Sequence, residues 1–248
     1  MDSESTYREL ANTYEKINPR VLERHFSGKE LDILFTRPPF VVRCDGVGFS
    51  KRLSAYKYPR DEFIHRALIN AAKCVMKTYS SAMALIISDE INYLFIHSVY
   101  GNRAVKISSV ISALTSSEVA RATGEALYFD GRVIIIKPKE VISYFLYRVR
   151  VGMNNYLSSL HHSQLRERGK STPSFGEMFN HLEKEGYVKG SEAWAFAGTL
   201  LVWEAYLKEG VDRKTGRTVW VKRRRVRELI PTPRNIIYSY IELLKRSG

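Results

Sequence analysis

The spacing of apolar residues divides the N-terminal half of the chain into helical and extended segments. Residues 7–27 follow a helical, mixed-charge pattern, and a proline pair interrupts it before a short apolar run at residues 40–44. This run predicts a strand that stops at the Asp45-Gly46 pair, because an acid followed by glycine is typical of a turn. From residue 61 to residue 79, apolar side chains recur at every third or fourth position, which predicts an amphipathic helix.

A β-hairpin with acids at its tip is predicted next. Two short runs of apolar, β-branched and aromatic residues, 83–87 and 92–96, flank the acidic segment 88–90. A helix over residues 103–121 follows it. Residues 133–136 are almost wholly apolar, a pattern that predicts a strand in the centre of the sheet.

The C-terminal half begins with a long predicted helix and ends in a predicted hairpin. Pro138 suits the first turn of the long helix, and a shorter helix ends at Gly186. Two strands joined by a turn at residues 214–216 follow. This order of elements predicts an α+β fold, in which an antiparallel sheet carries helices packed mainly on one face and is followed by a C-terminal basic β-hairpin.

Length and composition suit one large domain or two small ones. The chain has 248 residues, of which 44% are hydrophobic, and no run of about 18 apolar residues that would span a membrane. The polar, acidic start has no secretory pattern, so a cytoplasmic protein is expected. Cys44 and Cys74 lie within apolar patterns and predict neither a zinc site nor a disulfide.

The charge balance points to a polyanionic partner. The formal net charge is +13, and residues 213–227 contain eight basic side chains and no acid. A uniformly basic surface of a thermophilic protein, or an edge strand protected by cations, would also explain such a composition. Five cations of the predicted last strand are candidates for contacts with an RNA backbone: Lys222, Arg223, Arg224, Arg225 and Arg227.

The two acidic segments at strand ends are candidates for a metal site. Asp45 and Asp89 lie 44 positions apart, but in a split β-α-β-β arrangement the end of the first strand meets the tip of the hairpin. Two carboxylates and the Gly46 carbonyl suit Mg²⁺, whose shell also takes triphosphate oxygens. Gly46 and Gly48 let backbone amides approach such a ligand closely. Ordinary solvated turns are the alternative explanation of both segments.

Four segments resemble motifs of the tRNA-histidine guanylyltransferase family in the same order. VVRCDGVGF is similar to the family's VVR-x-DGR-x-F, and SDEINYLF to its SDE followed by an aromatic strand. FDGRVIII matches its FDGR strand, and YRVRVGMNNYLSSL is similar to the helix that carries its HINNLYN element. The resemblance covers residues 40 to about 160, and archaeal-type Thg1-like proteins, which are 3′-5′ RNA polymerases, are the nearest type.

The resemblance implies a polymerase-like palm fold and an enzyme that adds nucleotides to the 5′ end of tRNA in the 3′-to-5′ direction. In this family ATP or GTP activates the tRNA 5′-phosphate, which the 3′-hydroxyl of an incoming nucleotide then attacks. Two Mg²⁺ ions would be held by Asp45, the Gly46 carbonyl and Asp89, with Glu90 as a catalytic neighbour. A homotetramer is also implied.

The resemblance further implies two sets of binding residues. The expected nucleotide-binding residues are Gly46, Val47, Gly48, Phe49, Ser50, Lys57, Asp61, Ser88, Arg103 and Lys106. Asn154 and Asn155 join the five C-terminal cations as expected contacts for tRNA.

Three departures from the family pattern leave the substrate open. Val47 replaces the arginine of the DGR motif, Ser50 replaces a histidine, and Gly152 stands where HINN has its histidine. In the family that last histidine is tied to guanylate addition to tRNA-histidine. Its absence favours the type that repairs truncated tRNA 5′ ends, but a changed substrate would also fit.

The sequence therefore predicts one catalytic palm-type domain over residues 1–248, with a motif-bearing core at 28–160 and a basic hairpin region at 190–248. The expected function is Mg²⁺-dependent nucleotide addition to the 5′ end of tRNA. Two other classes stay open. One is a palm-fold nucleotide cyclase-like enzyme, for which turnover would not depend on RNA. The other is a non-catalytic RNA-binding protein on a degenerate palm.

Overall fold

The structure is a computed structural model that describes residues 3–27, 29, 35–164, 173–187 and 192–247. Its strands are β1 (Phe40–Gly46), β2 (Met83–Ile87), β3 (Glu90–Phe95), β4 (Phe129–Ile135), β5 (Thr199–Val211) and β6 (Thr218–Leu229). Its helices are α1 (Ser3–Glu15), α2 (Pro19–Ser27), α3 (Phe49–Arg52), α4 (Glu62–Tyr79), α5 (Ala104–Thr123), α6 (Val141–Gln164), α7 (Phe175–Lys184), α8 (Ala193–Ala197) and α9 (Pro233–Ser247).

The six strands form one antiparallel sheet in the order β4-β1-β3-β2-β5-β6. The predicted α+β class, with an antiparallel sheet and a C-terminal hairpin, is confirmed. The central position predicted for the strand at residues 133–136 is wrong, because β4 lies at an edge. Its apolar run has another cause: Val133 and Ile134 are buried in cores on opposite faces of the sheet, so even this edge strand is covered on both sides.

Helices cover both faces of the sheet. On one face, α4 and α5 pack against alternate residues of the central strands, such as Val42 and Tyr93. On the other, the long helix α6 packs against the sheet, and the shorter helices α1, α2, α7, α8 and α9 pack around α6, in a core that includes Val41 and Leu94. The greater number of helices therefore lies on the α6 face. The helix expected over residues 7–27 is two helices, which break at Pro19.

The helix α4 starts where its sequence provides a cap. The Asp61 carboxylate accepts hydrogen bonds from the amides of Phe63 and Ile64, which the first helical turn leaves without helical partners. The apolar stripe of α4 is buried against the sheet. The cap therefore fixes the start of α4 near the tip of the β2–β3 hairpin.

The last two strands extend beyond the sheet. Only residues 199–202 of β5 pair with β2, whereas β5 pairs with β6 along its whole length. Residues 203–226 therefore project as a two-stranded ribbon, hereafter the ribbon. Its side chains include exposed Leu207 and Trp220. None of the helices within the described residues has both the length and the apolar composition needed to cross a bilayer.

Candidate functional site: paired acids beside a cavity

The pairing of β1 with β3 brings the two acidic segments together. Asp45 stands directly opposite Glu90 in the register, and the amide of Gly46 donates a hydrogen bond of 3.0 Å to the carbonyl of Asp89. Ser88 takes a positive φ of 60° in the tight turn between β2 and β3. The end of β1 therefore lies against the hairpin tip, as the sequence predicts.

Burial and like charges act together on these acids. Burial and the nearby carboxylates of Glu90 and Asp89 together raise the pKa of Asp45 to about 6, against the opposing effect of Arg43. Burial also raises the pKa of Asp89, while a hydrogen bond from Ser88 and the charge of Arg60 oppose this rise. Several carboxylates thus lie close together at this end of the sheet, and a bound cation would reduce the repulsion between them.

Glu90 does not share the environment of the two aspartates. Its carboxylate is 4% exposed and forms a two-pronged ion pair with Arg148 of α6, in which the Arg148 Nε donates at 2.9 Å. The side-chain amide of Asn92 also donates to it, at 2.6 Å. The expectation of Glu90 as a catalytic group stays a prediction, and in this structure its oxygens are paired with an arginine and an amide.

A cavity of about 270 Å³ opens beside Asp89 and is lined by α3 and the loop after it, α4, the β2–β3 turn, α6 and α8. It collects five of the predicted nucleotide-binding residues. These are Phe49, Ser50, Lys57, Asp61 and Ser88. Apolar side chains such as Leu53 and Leu68 form part of the wall. The combination of apolar wall and polar mouth suits a nucleoside with its phosphates directed towards the acids.

Two glycines and Val47 shape the loop after β1. A Cβ on Gly46 would lie 2.6 Å from the ring of Phe49, so only glycine allows this close approach. Gly48 has a φ of 67° and precedes the short helix α3. The amide of Val47 donates to the carbonyl of Tyr128 at 3.0 Å. This amide is therefore already hydrogen-bonded within the chain, and its expected contact with a triphosphate stays a prediction.

Lys57 and Asp61 lie at the cavity but already have partners. The Lys57 ammonium donates to Glu192 at 2.7 Å, and this hydrogen bond and ion pair raise its pKa. Asp61 caps α4 and also accepts from the Lys57 amide at 3.1 Å. Lys57 is largely exposed, so a bound anion would compete with Glu192 for it.

Arg103 and Lys106 do not join this cavity. They lie at the start of α5, where Arg103 pairs with Phe35 ahead of β1 and Lys106 stacks over Tyr100 at 4.8 Å. The antiparallel register puts this region at the opposite end of β1 and β3 from Asp45. Arg103 and Lys106 therefore lie apart from the glycine loop within one chain, and their expected role in binding a triphosphate stays a prediction.

The missing family histidine has a steric reason. A Cβ on Gly152 of α6 would lie 2.0 Å from Cγ1 of Ile87 on β2, so α6 crosses the sheet where only glycine fits. The Gly152 carbonyl accepts from Arg60 at 3.2 Å. One turn further along α6, Asn155 lines the cavity, whereas Asn154 does not. Asn155 is thus placed with the nucleotide residues rather than with the basic hairpin.

Three cavity residues escaped the sequence analysis: Arg60, His65 and Trp194. Burial lowers the pKa of Arg60 to about 10, while Asp89 opposes this shift. His65 contacts the Thr199 hydroxyl at 2.8 Å and stacks on Trp194, and burial lowers its pKa to about 3, so it is neutral near pH 7. Of these three residues, only Arg60 had a signal in the sequence, since it lies between the two expected nucleotide-binding residues Lys57 and Asp61.

The five basic candidates of the last strand are exposed; four of them lie on the ribbon, and Arg227 lies just beyond its base. Arg225 and Arg227 both pair with Glu204, at 2.7 and 3.0 Å. Arg224 stacks over the Trp203 ring at 4.3 Å. Lys222, Arg223 and Arg224 form no ion pair with a carboxylate of the described residues. The structure therefore distinguishes the cations that pair with Glu204 from those that remain available to an anion.

The acids present can hold a divalent cation only with help from other ligands. No group of three or more His, Cys, Asp or Glu side chains in the described ranges is arranged to bind a metal. Asp45 and Asp89 supply two carboxylates, and Glu90 is occupied by Arg148. This donor set fits Mg²⁺, which typically takes one or two carboxylates and completes its shell with water and phosphate oxygens.

Fold and site together define a class of protein: an α+β sheet with paired acids at a strand end beside a cavity of nucleoside size. The family model described as "Thg1: tRNAHis guanylyltransferase" matches residues 23–138. This match covers 116 of the 248 residues, slightly less than half of the chain. No curated protein matches the chain.

Solved structures share the fold at low sequence identity. A bacterial tRNA(His) guanylyltransferase (Thg1)-like protein in complex with ATP is 20% identical, with a TM-score of 0.66 over 89% of this chain and 96% of that chain. A bacterial tRNA(His) guanylyltransferase (Thg1)-like protein in complex with GTP has the same identity and TM-score, over 90% of this chain and 97% of that chain. The tRNA(His) guanylyltransferase of Saccharomyces cerevisiae is 19% identical, with a TM-score of 0.55 over 70% and 90%.

Proposed function

We propose that this chain is a nucleotidyltransferase that adds nucleotides to the 5′ end of tRNA in the 3′-to-5′ direction, with ATP and GTP as substrates. The observation that carries the proposal is the meeting of Asp45 and Asp89 beside the cavity that holds Ser50, Lys57 and Ser88. Solved relatives described as complexes with ATP and with GTP support a nucleotide in this cavity.

Mg²⁺ would be held by the carboxylates of Asp45 and Asp89 and by the Gly46 carbonyl, and two ions are expected as the family resemblance implies. When bound, the metal supplies charge stabilisation for phosphoryl transfer and lowers the pKa of the attacking hydroxyl. Arg148 keeps Glu90 outside this donor set. Arg60, beside Asp89, contributes a fixed positive charge near the mouth of the cavity.

The ribbon would hold the tRNA through its phosphates. Its exposed cations can neutralise RNA charge without reading sequence, which suits a substrate recognised by its end. One catalytic domain, a homotetramer and a cytoplasmic site of action belong to the same proposal, as the family resemblance implies.

The test is incubation of the purified chain with 5′-truncated tRNA, labelled triphosphates and Mg²⁺, followed by sequencing of the RNA 5′ end. We expect template-dependent extension at the 5′ end that stops when a chelator is added. Consumption of ATP or GTP at the same rate without RNA would instead indicate a cyclase-like enzyme. RNA binding without extension by any of the four nucleotides would indicate a non-catalytic protein.

A further inference from the structure

A basic notch lies between α4 and the ribbon, on the face of the sheet opposite α6. It measures about 490 Å³ and is lined by Lys73, Lys77, Trp203, Arg224, Arg225 and Val226. Four of these six residues are cations and none is an acid. The sequence analysis considered only the ribbon, because the two lysines lie in the amphipathic pattern of α4, where a solvated helix face explains them.

The two lysines are placed by helix geometry. Residues four apart share one face of a helix, so Lys73 and Lys77 both point into the notch. Lys73 forms an ion pair of 2.6 Å with Glu228, which Arg66 also contacts. Lys77 is exposed and pairs with no carboxylate in the part of the chain that the structure describes. The α4 side of the notch therefore keeps a net positive charge.

Arg224 supplies the opposite wall in a fixed orientation. Its guanidinium stacks over the Trp203 indole at 4.3 Å, and the indole N–H donates to the Ser81 carbonyl at 2.9 Å. A stacked guanidinium still presents the N–H groups along its edge, which match the oxygens of a phosphate. Because Trp203 is anchored, little side-chain freedom would be lost when Arg224 binds an anion.

The two faces of the ribbon differ in their free charge. Arg225 and Arg227 pair with Glu204, whereas Arg224 points towards the lysines of α4 without a carboxylate partner among the described residues. Side chains alternate along β6, so among residues 222–227 the other side has one cation without a carboxylate partner in the described chain, Arg223, whereas the α4 side has two, Lys222 and Arg224. An RNA that follows free cations would pass along this side of the ribbon.

We propose that this notch binds a phosphate of the RNA backbone through Lys77 and Arg224, so that α4 and the ribbon form one RNA-binding cleft. The inference deepens the proposed function and rests on it. Fifteen residues separate the start of α4 from Lys77, which at 1.5 Å per residue is about 22 Å. A single tRNA with its 5′ end at the cavity can therefore span both sites.

The experiment measures binding of tRNA, without triphosphates, by the full chain at 50 to 200 mM salt. Lys77→Gln/Arg224→Gln is compared with a control that also removes two charges, Arg121→Gln/Lys245→Gln. The control residues are exposed and pair with acids three positions away. Two lost phosphate contacts should reduce the slope of log affinity against log salt by about 2. The ratio of wild-type to variant affinity should then shrink about tenfold between the two salt concentrations.

An unchanged slope in Lys77→Gln/Arg224→Gln, or an equal reduction in the control, would overturn the proposal. ATP binding is measured in parallel, because a free triphosphate carries the same chemistry. Equal ATP affinity in wild type and variant supports an RNA site, whereas weaker ATP binding would make the notch a nucleotide site. A failure of 5′-end extension contradicts the proposed function but leaves the binding result interpretable, since no reaction takes place in that measurement.

Discussion

The acid end of the sheet and the ribbon carry opposite charges in opposite environments. Asp45, Asp89 and Glu90 lie where three elements meet, and Glu90 is only 4% exposed. The cations at residues 222–225 are exposed along a two-stranded projection. Burial makes each charge at the acid end depend on its immediate neighbours, whereas water and salt screen the charges of the ribbon.

This difference separates the chemistry from the binding. At the acid end, single substitutions should change catalysis or stability strongly and depend little on salt. On the ribbon, single substitutions should change little individually and should act through the salt dependence of RNA binding. Four changes at the acid end test this contrast, in order of decreasing effect.

Removal of either aspartate should produce the largest effect. Asp45→Ala or Asp89→Ala removes one of two carboxylates that would hold Mg²⁺, a loss of several kcal/mol, so 5′-end addition should fall about 1000-fold or more. The tRNA affinity, measured by filter binding, should stay within about twofold of wild type. Normal turnover in both variants would contradict the metal hypothesis. A loss of tRNA affinity as large as the loss of activity would show that catalysis and RNA binding are not separated between the acid end and the ribbon.

Arg148→Gln should cost the most stability. It leaves the buried Glu90 carboxylate with only the more distant Arg43, at 3.9 Å, and loss of one partner from a buried pair costs about 3–5 kcal/mol. The free energy of unfolding in urea measures this cost. Arg121→Gln, which breaks an exposed pair with Glu118, should cost less than about 1 kcal/mol. Similar costs for both variants would show that Glu90 is not buried as described.

Gly152→Ala tests the close crossing of α6 and β2. Alanine normally stabilises a helix relative to glycine, but here its Cβ would overlap Ile87, so we expect a loss of about 1–3 kcal/mol. Ile87→Ala removes the overlapping atoms. The double variant should therefore be more stable than the two single losses added together predict. Additive losses in thermal unfolding would contradict the contact.

Asp45→Asn should have the smallest effect on stability, and the sign of this effect depends on pH. The pKa of Asp45 is raised from 3.8 to about 6, so its contribution to stability is present below about pH 4 and lost as the pH rises through 6. At pH 8 the substitution should raise the stability by about 1 kcal/mol, discounted for partial exposure, or the melting temperature by about 2–4 °C. Near pH 4, or with millimolar Mg²⁺, the gain should vanish. If Asp45→Asn stabilised the protein equally at pH 4 and at pH 8, the raised pKa of Asp45 would not be the cause of the stabilisation.

The local sequence pattern predicted an element correctly where the residues of one segment were sufficient to define it. β1, the acidic hairpin, α4 with its Asp61 cap and the β5–β6 hairpin follow from apolar spacing and turn residues. The helix α9 was not predicted, although Pro233 stands at its start, because the prediction for this region considered only the basic strand before it. β4 was misplaced because an apolar run reports burial on both faces and not a position in the sheet.

Within the site, the sequence identified residue types and the fold decided their partners. Asp45 and Asp89 were predicted to meet, and their register brings them together. Glu90 looks equivalent to Asp89 along the chain, yet its place on the strand faces Arg148 of α6. No local pattern indicates which of two adjacent acids a helix 58 residues away will neutralise.

The amino-acid sequence by itself determined the elements, the acids at their ends and the basic character of the last strand, since these depend on the order of side chains over a few turns. Only the tertiary structure decided which charges remain available. It pairs Glu90 with Arg148, pairs Arg225 with Glu204, and aligns Lys77 with Arg224 across the notch. The physical reason is that availability of a charge depends on burial and on distances between residues far apart in the chain.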